Sequence, residues 1–130
     1  MQMNFYKLMI LPGFLFLIII GFGLWVSKVG KPYNNLLFNI HKLIALGAVI
    51  LSGIRIFNLD PFVSFPNMAI LLIALAVLGV IGMFATGAIM SIKDEVPNAA
   101  LLVHRIIPAI IFISVSISIY LLILDQLKTL

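Results

Sequence analysis

The chain has 130 residues, of which 64% are hydrophobic and 9% are charged. Soluble domains are typically about half apolar and about a quarter charged, so this composition predicts an integral membrane protein in contact with a lipid bilayer. The net charge of +4 rests on eight basic and four acidic residues, and no basic patch is interleaved with aromatics, which argues against a nucleic-acid partner. The absence of cysteine excludes disulfides, thiolate metal sites and iron–sulfur clusters.

Four apolar segments are long enough to cross a bilayer, for which a helix needs roughly 20 residues. They cover residues 8–26, 36–57, 68–92 and 99–124, and short segments rich in Pro, Asn, Gly and Asp separate them. Short joins make consecutive helices antiparallel. The sequence therefore predicts a single transmembrane domain, residues 1–130, folded as an all-α up-down-up-down four-helix transmembrane bundle.

The first segment and the basic residues predict how the chain lies in the membrane. No small-residue cleavage site follows the first segment, so we expect a membrane helix and not a cleaved signal. Five basic residues flank the first and third connections, against three on the other side, and this bias favours cytoplasmic placement. The five are Lys28, Lys31, Lys42, Lys93 and Arg105. We therefore expect both termini outside and the first and third connections in the cytoplasm. The expected location is a prokaryotic cell membrane.

The second and fourth segments begin with related stretches, "NLLFNIHK" from Asn35 and "NAALLVHR" from Asn98. Each places a histidine six residues after its asparagine, followed by a basic residue. His41 and His104 are the only histidines in the chain and stand 63 residues apart, as the two asparagines do. The constant offset hints at an internal duplication.

The two histidines are predicted to lie at equal depth on the same side of the membrane. The second and fourth helices run in the same direction, and a rise of 1.5 Å per residue puts both imidazoles roughly 9 Å past the asparagine. Adjacent axes in a bundle are ~8–10 Å apart, so diagonal helices are roughly 11–14 Å apart. Imidazoles reaching inward from His41 and His104 across that diagonal could hold a porphyrin iron between them.

Small residues behind His41 fit a flat macrocycle, whereas the matching positions behind His104 are apolar but not small. Ala45, Ala48 and Ser52 follow His41 on one helix face, and Gly79, Gly82 and Thr86 form another small stripe on the third helix. Either stripe could be the wall of a cofactor site or could simply allow close helix packing.

The cations beside the histidines have two interpretations. Lys42 and Arg105 could pair with the two propionates of a haem at that interface. Equally, their charged ends could reach lipid phosphate, as cations at helix ends usually do.

One stretch of the fourth segment, "ISVSISIY", alternates like a β-strand. An isolated strand in lipid would leave its backbone unpaired, so we expect helix there. Ser114 and Ser118 would then share a face and bond to the preceding turn or across to a neighbour.

The stretches "HKLIALGAVIL" and "HRIIPAI" in a four-helix membrane protein resemble the haem-binding core of the cytochrome b-561 family and of cytochrome b subunits of membrane oxidoreductases. That resemblance implies one non-covalent haem b with His41 and His104 as axial ligands, and electron transfer with a quinol, a small reductant or a partner redox subunit. Di-haem members carry a histidine pair at each membrane face, whereas this chain has one pair, so we expect one haem.

Other functions stay open from the sequence. Met83 or Met90 could replace one histidine as axial ligand. The chain could instead be a cofactor-free scaffold or assembly subunit, a haem sensor or storage protein, or a small transporter. Its acidic residues fall in loops or at segment ends, which argues against proton-coupled transport. No nucleophile–base–acid set and no phosphate-binding loop is present, so any enzymatic role would be that of a redox subunit exchanging electrons with quinone.

Overall fold

The computed structural model describes residues 5–58 and 65–128. It contains four α-helices: α1 (Phe5–Val29), α2 (Asn35–Phe57), α3 (Asn67–Ile92) and α4 (Asn98–Lys128). Each is long and apolar enough to cross a membrane. The predicted all-α, four-helix membrane class is therefore confirmed. The helices α2, α3 and α4 each begin one residue before the predicted segment, because a polar or capping residue can start a helix without contributing to its apolar length.

The chain divides into two compact units, Met1–Asp60 and Pro61–Leu130. In the first unit α1 packs on α2, and in the second α3 packs on α4. Five-residue connections, 30–34 and 93–97, join the two helices of each pair. Connections this short require antiparallel neighbours, so each unit is a helical hairpin. We call α1–α2 the first hairpin and α3–α4 the second hairpin.

The turn of the first hairpin is built by a glycine and an asparagine. Gly30 has φ +74°, in the left-handed region that glycine adopts without strain, and its N–H donates to the Val26 carbonyl at 3.2 Å. Asn34 then caps α2, since its Oδ1 accepts from the N–H groups of Leu36 at 3.0 Å and Leu37 at 3.3 Å. The turn thus fixes where α2 begins, and therefore where the side chains of its first two helical turns lie.

The second hairpin repeats these helix boundaries with different capping chemistry. The carbonyl of Pro97 accepts from the Ala100 N–H at 2.9 Å at the start of α4. Nevertheless α1 and α3 end 63 residues apart, at Val29 and Ile92, and α2 and α4 begin 63 residues apart. The backbone of the two hairpins therefore follows the same offset as the two histidines.

The glycines of α3 let that helix approach α4 closely. A Cβ atom added at Gly79 would lie 2.8 Å from Cγ1 of Ile111, and one added at Gly82 would lie 3.0 Å from Cδ1 of Ile107. Both distances are shorter than ordinary van der Waals contact. This part of the small stripe on α3 therefore packs against α4 within the second hairpin, as small residues do where membrane helices meet.

The alternating "ISVSISIY" stretch is helical, as predicted. Ser114 and Ser118 lie on one face of α4 and are 3% and 2% exposed. The Ser118 hydroxyl donates to the Ser114 carbonyl at 2.8 Å. Of the two expected arrangements, the bond to the preceding turn is present, and it satisfies this hydroxyl without a partner on another helix.

Candidate functional site

Each hairpin carries one histidine at the same place. His41 lies on α2 and His104 on α4, and each is six residues past the first residue of its helix. In an antiparallel hairpin with a five-residue connection, a residue 18 positions earlier in the chain lies opposite the histidine on the facing helix. That residue is Gly23 in the first hairpin and Thr86 in the second. The two histidines therefore share a register but face different neighbours.

The imidazole of His104 is held by a hydroxyl of α3. Thr86 Oγ1 lies 2.7 Å from His104 Nδ1, within hydrogen-bonding distance. Thr86 itself is buried, with 8% of its surface exposed. A Cβ atom added at the next residue, Gly87, would lie 3.6 Å from Cε1 of the ring, an ordinary contact distance. The ring of His104 is thus turned toward α3, with its Nδ1 engaged.

The imidazole of His41 packs against bare backbone. A Cβ atom at Gly23 would lie 3.2 Å from His41 Cε1 and 3.8 Å from Nδ1, so the ring edge occupies the space of the missing side chain. The backbone of Ile19, one turn earlier on α1, is within reach of the same ring. His41 Nδ1 is buried and has no hydrogen-bond partner among the described residues. Gly23 leaves room for the imidazole but has no side chain that could form a hydrogen bond with Nδ1.

The remaining predicted site residues divide between the two hairpins. Ala45 is half-buried and Ala48 is buried, and both share the face of α2 that carries His41. The ammonium of Lys42 lies 4.3 Å from the centre of the Phe38 ring. Arg105 follows His104 on α4 and is exposed. The structure thus brings His41, Ala45 and Ala48 together on one helix face.

Two methionines on α3 are the alternative axial ligands that the sequence raised. Met83 and Met90 are both half-buried. The backbone carbonyl of Met83 lies 3.2 Å from Thr86 Oγ1, which links this residue to the His104 environment through its main chain. Replacement of a histidine ligand by either thioether stays a prediction.

The basic end of the first hairpin is organised by aromatic rings. Tyr33 and Phe38 are stacked with ring centres 5.3 Å apart. Lys31 lies 5.6 Å from the Tyr33 ring centre, and Lys42 approaches the Phe38 ring as described above. Such cation–π contacts are worth about 0.5–1 kcal/mol at exposed sites. They hold two of the five basic residues that the sequence placed at this membrane surface.

Over residues 5–58 and 65–128, no group of three or more histidine, cysteine, aspartate or glutamate side chains could hold a metal ion. A site built from three or four protein ligands is therefore not formed by that part of the chain. Axial ligation of a haem iron needs only two protein nitrogens, because the porphyrin supplies the other four.

Sequence reasoning missed the neighbours of the two histidines. Gly23 was not predicted to be a site residue, and Thr86 was predicted only as part of a stripe of small residues. A signal was present, because the 63-residue offset that relates His41 to His104 also carries Gly23 onto Thr86. Applying the offset to the odd-numbered helices would have paired the two residues that line the histidines.

Comparisons with protein-family models, with curated proteins and with solved structures find no match to this chain.

Proposed function

We propose that the chain is a membrane electron-transfer protein that binds one non-covalent haem b with His41 and His104 as its axial ligands. The observation that carries this proposal is the recurrence of a histidine at one register position in two equivalent hairpins, in a chain with no other histidine. Ionisable side chains within membrane segments are costly and usually functional. A pair of them at matched positions favours a joint role.

The environment of His104 supports ligation. Histidines that bind metals usually engage their second ring nitrogen in a hydrogen bond, which fixes the ring orientation and raises the basicity of the ligating nitrogen. Here Nδ1 lies in hydrogen-bonding contact with Thr86. Ligation by His104 would therefore use Nε2.

The environment of His41 supports a functional role by a different argument. A buried polar atom without a partner costs roughly 1–3 kcal/mol, so a packing role alone gives no reason to keep an imidazole there. Gly23 gives the ring room that any other residue would reduce. Ala45 and Ala48 continue the same helix face with small side chains, which a flat ligand beside His41 would need.

The proposed cofactor defines the chemistry. Haem b supplies a one-electron iron couple, whose potential the axial ligands and their hydrogen bonds tune. Lys42 and Arg105, next to the two histidines, would meet the propionates as charge-assisted pairs. With one haem near one membrane face, the expected exchange is with a quinol or a partner protein at that face, since the far face is most of a ~30 Å hydrocarbon core away.

A visible absorption spectrum tests the proposal directly. The full-length protein is purified from haem-replete cells, reduced with dithionite, and its haem is counted per chain. We expect one haem with the sharp α and β bands of low-spin, six-coordinate iron. His41→Ala and His104→Ala should each lose most of the haem and still insert, because the apolar helices drive insertion independently of the ligands.

The matched control is Asn39→Ala, a change at an exposed position of α2 two residues before His41. It should keep the full haem content. A colourless wild-type protein from several hosts would contradict haem binding. Unchanged low-spin spectra in both histidine variants would contradict the ligand assignment alone.

Mixing the reduced protein with quinone analogues in a stopped-flow instrument tests electron exchange. We expect reoxidation faster than the background reaction with oxygen for at least one analogue. Background rates with every quinone would exclude direct quinone exchange and favour a partner redox subunit.

We also propose that the 93–97 connection faces the cytoplasm and the end of α2 faces outward, on the strength of the basic-residue bias. The chain has no cysteine, so single cysteines report sidedness cleanly. In intact cells an impermeant thiol reagent should label Asn58→Cys and spare Asp94→Cys, and neither variant removes a basic residue. The opposite labelling pattern would reverse the orientation.

A further inference from the structure

The hydroxyl oxygen of Thr86 has three polar neighbours. It lies 2.8 Å from the Gly82 carbonyl oxygen, 3.2 Å from the Met83 carbonyl oxygen and 2.7 Å from His104 Nδ1. Carbonyl oxygens only accept hydrogen bonds, whereas Nδ1 of a neutral imidazole either donates or accepts, depending on the tautomer. The three distances therefore constrain where the ring proton resides.

Counting hydrogens separates the two tautomers. If the proton is on Nε2, the single threonine hydrogen must serve both Nδ1 and the carbonyls. When this hydrogen points to Nδ1, the Thr86 oxygen lies 2.8 Å from the Gly82 oxygen with no hydrogen between them. When it points to the Gly82 oxygen, the Thr86 oxygen lies 2.7 Å from Nδ1 and faces its lone pair, again with no hydrogen between them. If the proton is on Nδ1, the ring donates to Thr86 and the hydroxyl donates to the α3 carbonyls. Of the two tautomers, only the second satisfies all three contacts of the Thr86 hydroxyl.

We propose that Thr86 is a positioning residue that fixes the Nδ1–H tautomer of His104 and so presents Nε2 as the ligating nitrogen. The Nδ1–H assignment stands on the geometry of the second hairpin, and the identity of the ligand as iron rests on the function proposed above. Gly23 occupies the corresponding position opposite His41 and has no hydroxyl. The two histidines are consequently unequal: a hydroxyl contacts Nδ1 of His104, and no hydroxyl stands at the corresponding position opposite His41.

Two substitutions separate the hydroxyl from the shape of the residue. Thr86→Val keeps the branched shape at this buried position and removes the oxygen. Thr86→Ser keeps the oxygen and removes one methyl group. A positioning role requires that Ser preserve the wild-type properties and that Val lose them, whereas a purely steric role predicts the reverse order.

The tautomer is measured on full-length chain produced in a haem-deficient host, labelled with ¹⁵N-histidine in a His41→Gln background. The protonated and unprotonated nitrogens of a neutral imidazole differ widely in ¹⁵N chemical shift. We expect His104 to carry its proton on Nδ1 in the background and in Thr86→Ser, and to show both tautomers in Thr86→Val. A ring protonated on Nε2 in the background, or an unchanged tautomer in Thr86→Val, would overturn the proposal.

The holo-protein, with both histidines present, gives a second readout. Loss of a partner of a metal ligand typically weakens binding by roughly 10–100-fold, so Thr86→Val should lower haem affinity by that factor and Thr86→Ser should not. Because the bond to Thr86 makes the imidazole a stronger donor to oxidised iron, Thr86→Val should also raise the midpoint potential. Equal affinities and potentials in the three proteins would refute the positioning role.

The two readouts keep the inference distinct from the proposed function. A colourless wild-type protein whose His104 still carries its proton on Nδ1 would end the haem proposal and leave the role of Thr86 intact. A haem-binding protein whose His104 carries its proton on Nε2 would end the proposed role of Thr86 and leave the haem proposal intact.

Discussion

The first and second hairpins share a backbone plan and differ in how each holds its histidine. Both have a five-residue connection, and both place a histidine opposite the residue 18 positions earlier. In the second hairpin that residue is a buried threonine in contact with the ring, and in the first it is a glycine that the ring overlies. Connection length and helix start thus fix where a histidine lies, and the facing residue independently decides its hydrogen bonding.

The hairpins also differ in burial. Among the described residues, the buried side chains of the first hairpin are Val26 and Ala48. Those of the second hairpin are Ala69, Ala76, Thr86, Ala100, Ile111, Ser114, Ser118 and Leu122. Most of the latter are small, and small residues allow close helix approach in membranes, where lipid removes the hydrophobic drive for association. The second hairpin is therefore expected to tolerate added volume less well than the first.

The largest expected effect is at Gly79. Gly79→Ala places a Cβ atom 2.8 Å from Cγ1 of Ile111, an inner atom of a stiff β-branched side chain. Overpacking of this kind typically costs about 1–3 kcal/mol, so the free energy of unfolding of this variant should be lower by that amount. Far-UV circular dichroism in mild detergent titrated with dodecyl sulfate measures the change.

Gly47→Ala on α2 is the matched control, because a Cβ atom there meets nothing within 4 Å. Its stability should be unchanged or raised by up to about 1 kcal/mol, since alanine favours helix over glycine. Equal stability of the two variants would show that α3 and α4 are not closely packed at Gly79.

The helices were predictable because the thickness of a bilayer sets the length of a helix that spans it. An uninterrupted run of roughly 20 apolar residues has few alternatives to a membrane helix, and even the strand-like "ISVSISIY" stretch is helical for that reason. The prolines and asparagines of the connections then marked the helix ends. Boundaries shifted where residues outside the apolar segments join a helix. Thus α2 begins at Asn35, after its capping residue Asn34, and α1 (Phe5–Val29) and α4 (Asn98–Lys128) extend past the predicted segments 8–26 and 99–124.

The candidate site was predictable only in part. The sequence located His41 and His104 by type and spacing, but the facing residue depends on how α1 and α3 are rotated about their own axes. Weakly patterned apolar helices carry little information about that rotation. The stripe of Gly79, Gly82 and Thr86 shows the consequence, since its two glycines pack against isoleucines and its threonine contacts a histidine. Joint ligation of one haem by both histidines stays a prediction.

A smaller effect is expected from giving His41 the partner that His104 already has. Gly23→Ser and Gly23→Ala add the same Cβ atom 3.2 Å from the ring, but only serine brings a hydroxyl near the unpartnered Nδ1. A new buried hydrogen bond contributes about 0.5–1.5 kcal/mol, so the serine variant should be more stable than the alanine variant by that amount.

Gly87→Ser and Gly87→Ala provide the control pair in the second hairpin. His104 Nδ1 already contacts Thr86, so a hydroxyl at position 87 has no unpartnered Nδ1 to satisfy, and the pair reports only the intrinsic difference between serine and alanine in a helix. The same detergent titration applies. A serine-minus-alanine difference at Gly23 that does not exceed the one at Gly87 would show that Nδ1 of His41 is not an unpartnered group.

The smallest effect is expected where the hairpins are alike. Ser52 in α2 and Ser118 in α4 each donate to the carbonyl four residues earlier, at 2.7 Å and 2.8 Å. That carbonyl also accepts the regular helical bond, and a serine bonded in this way slightly destabilises a helix, so each serine-to-alanine change should alter stability by less than about 0.5 kcal/mol. Ser118→Leu, by contrast, inserts volume at a position that is 2% exposed and should cost about 1–3 kcal/mol. A large loss in Ser118→Ala would mean that its hydroxyl also bonds to a group outside its own helix.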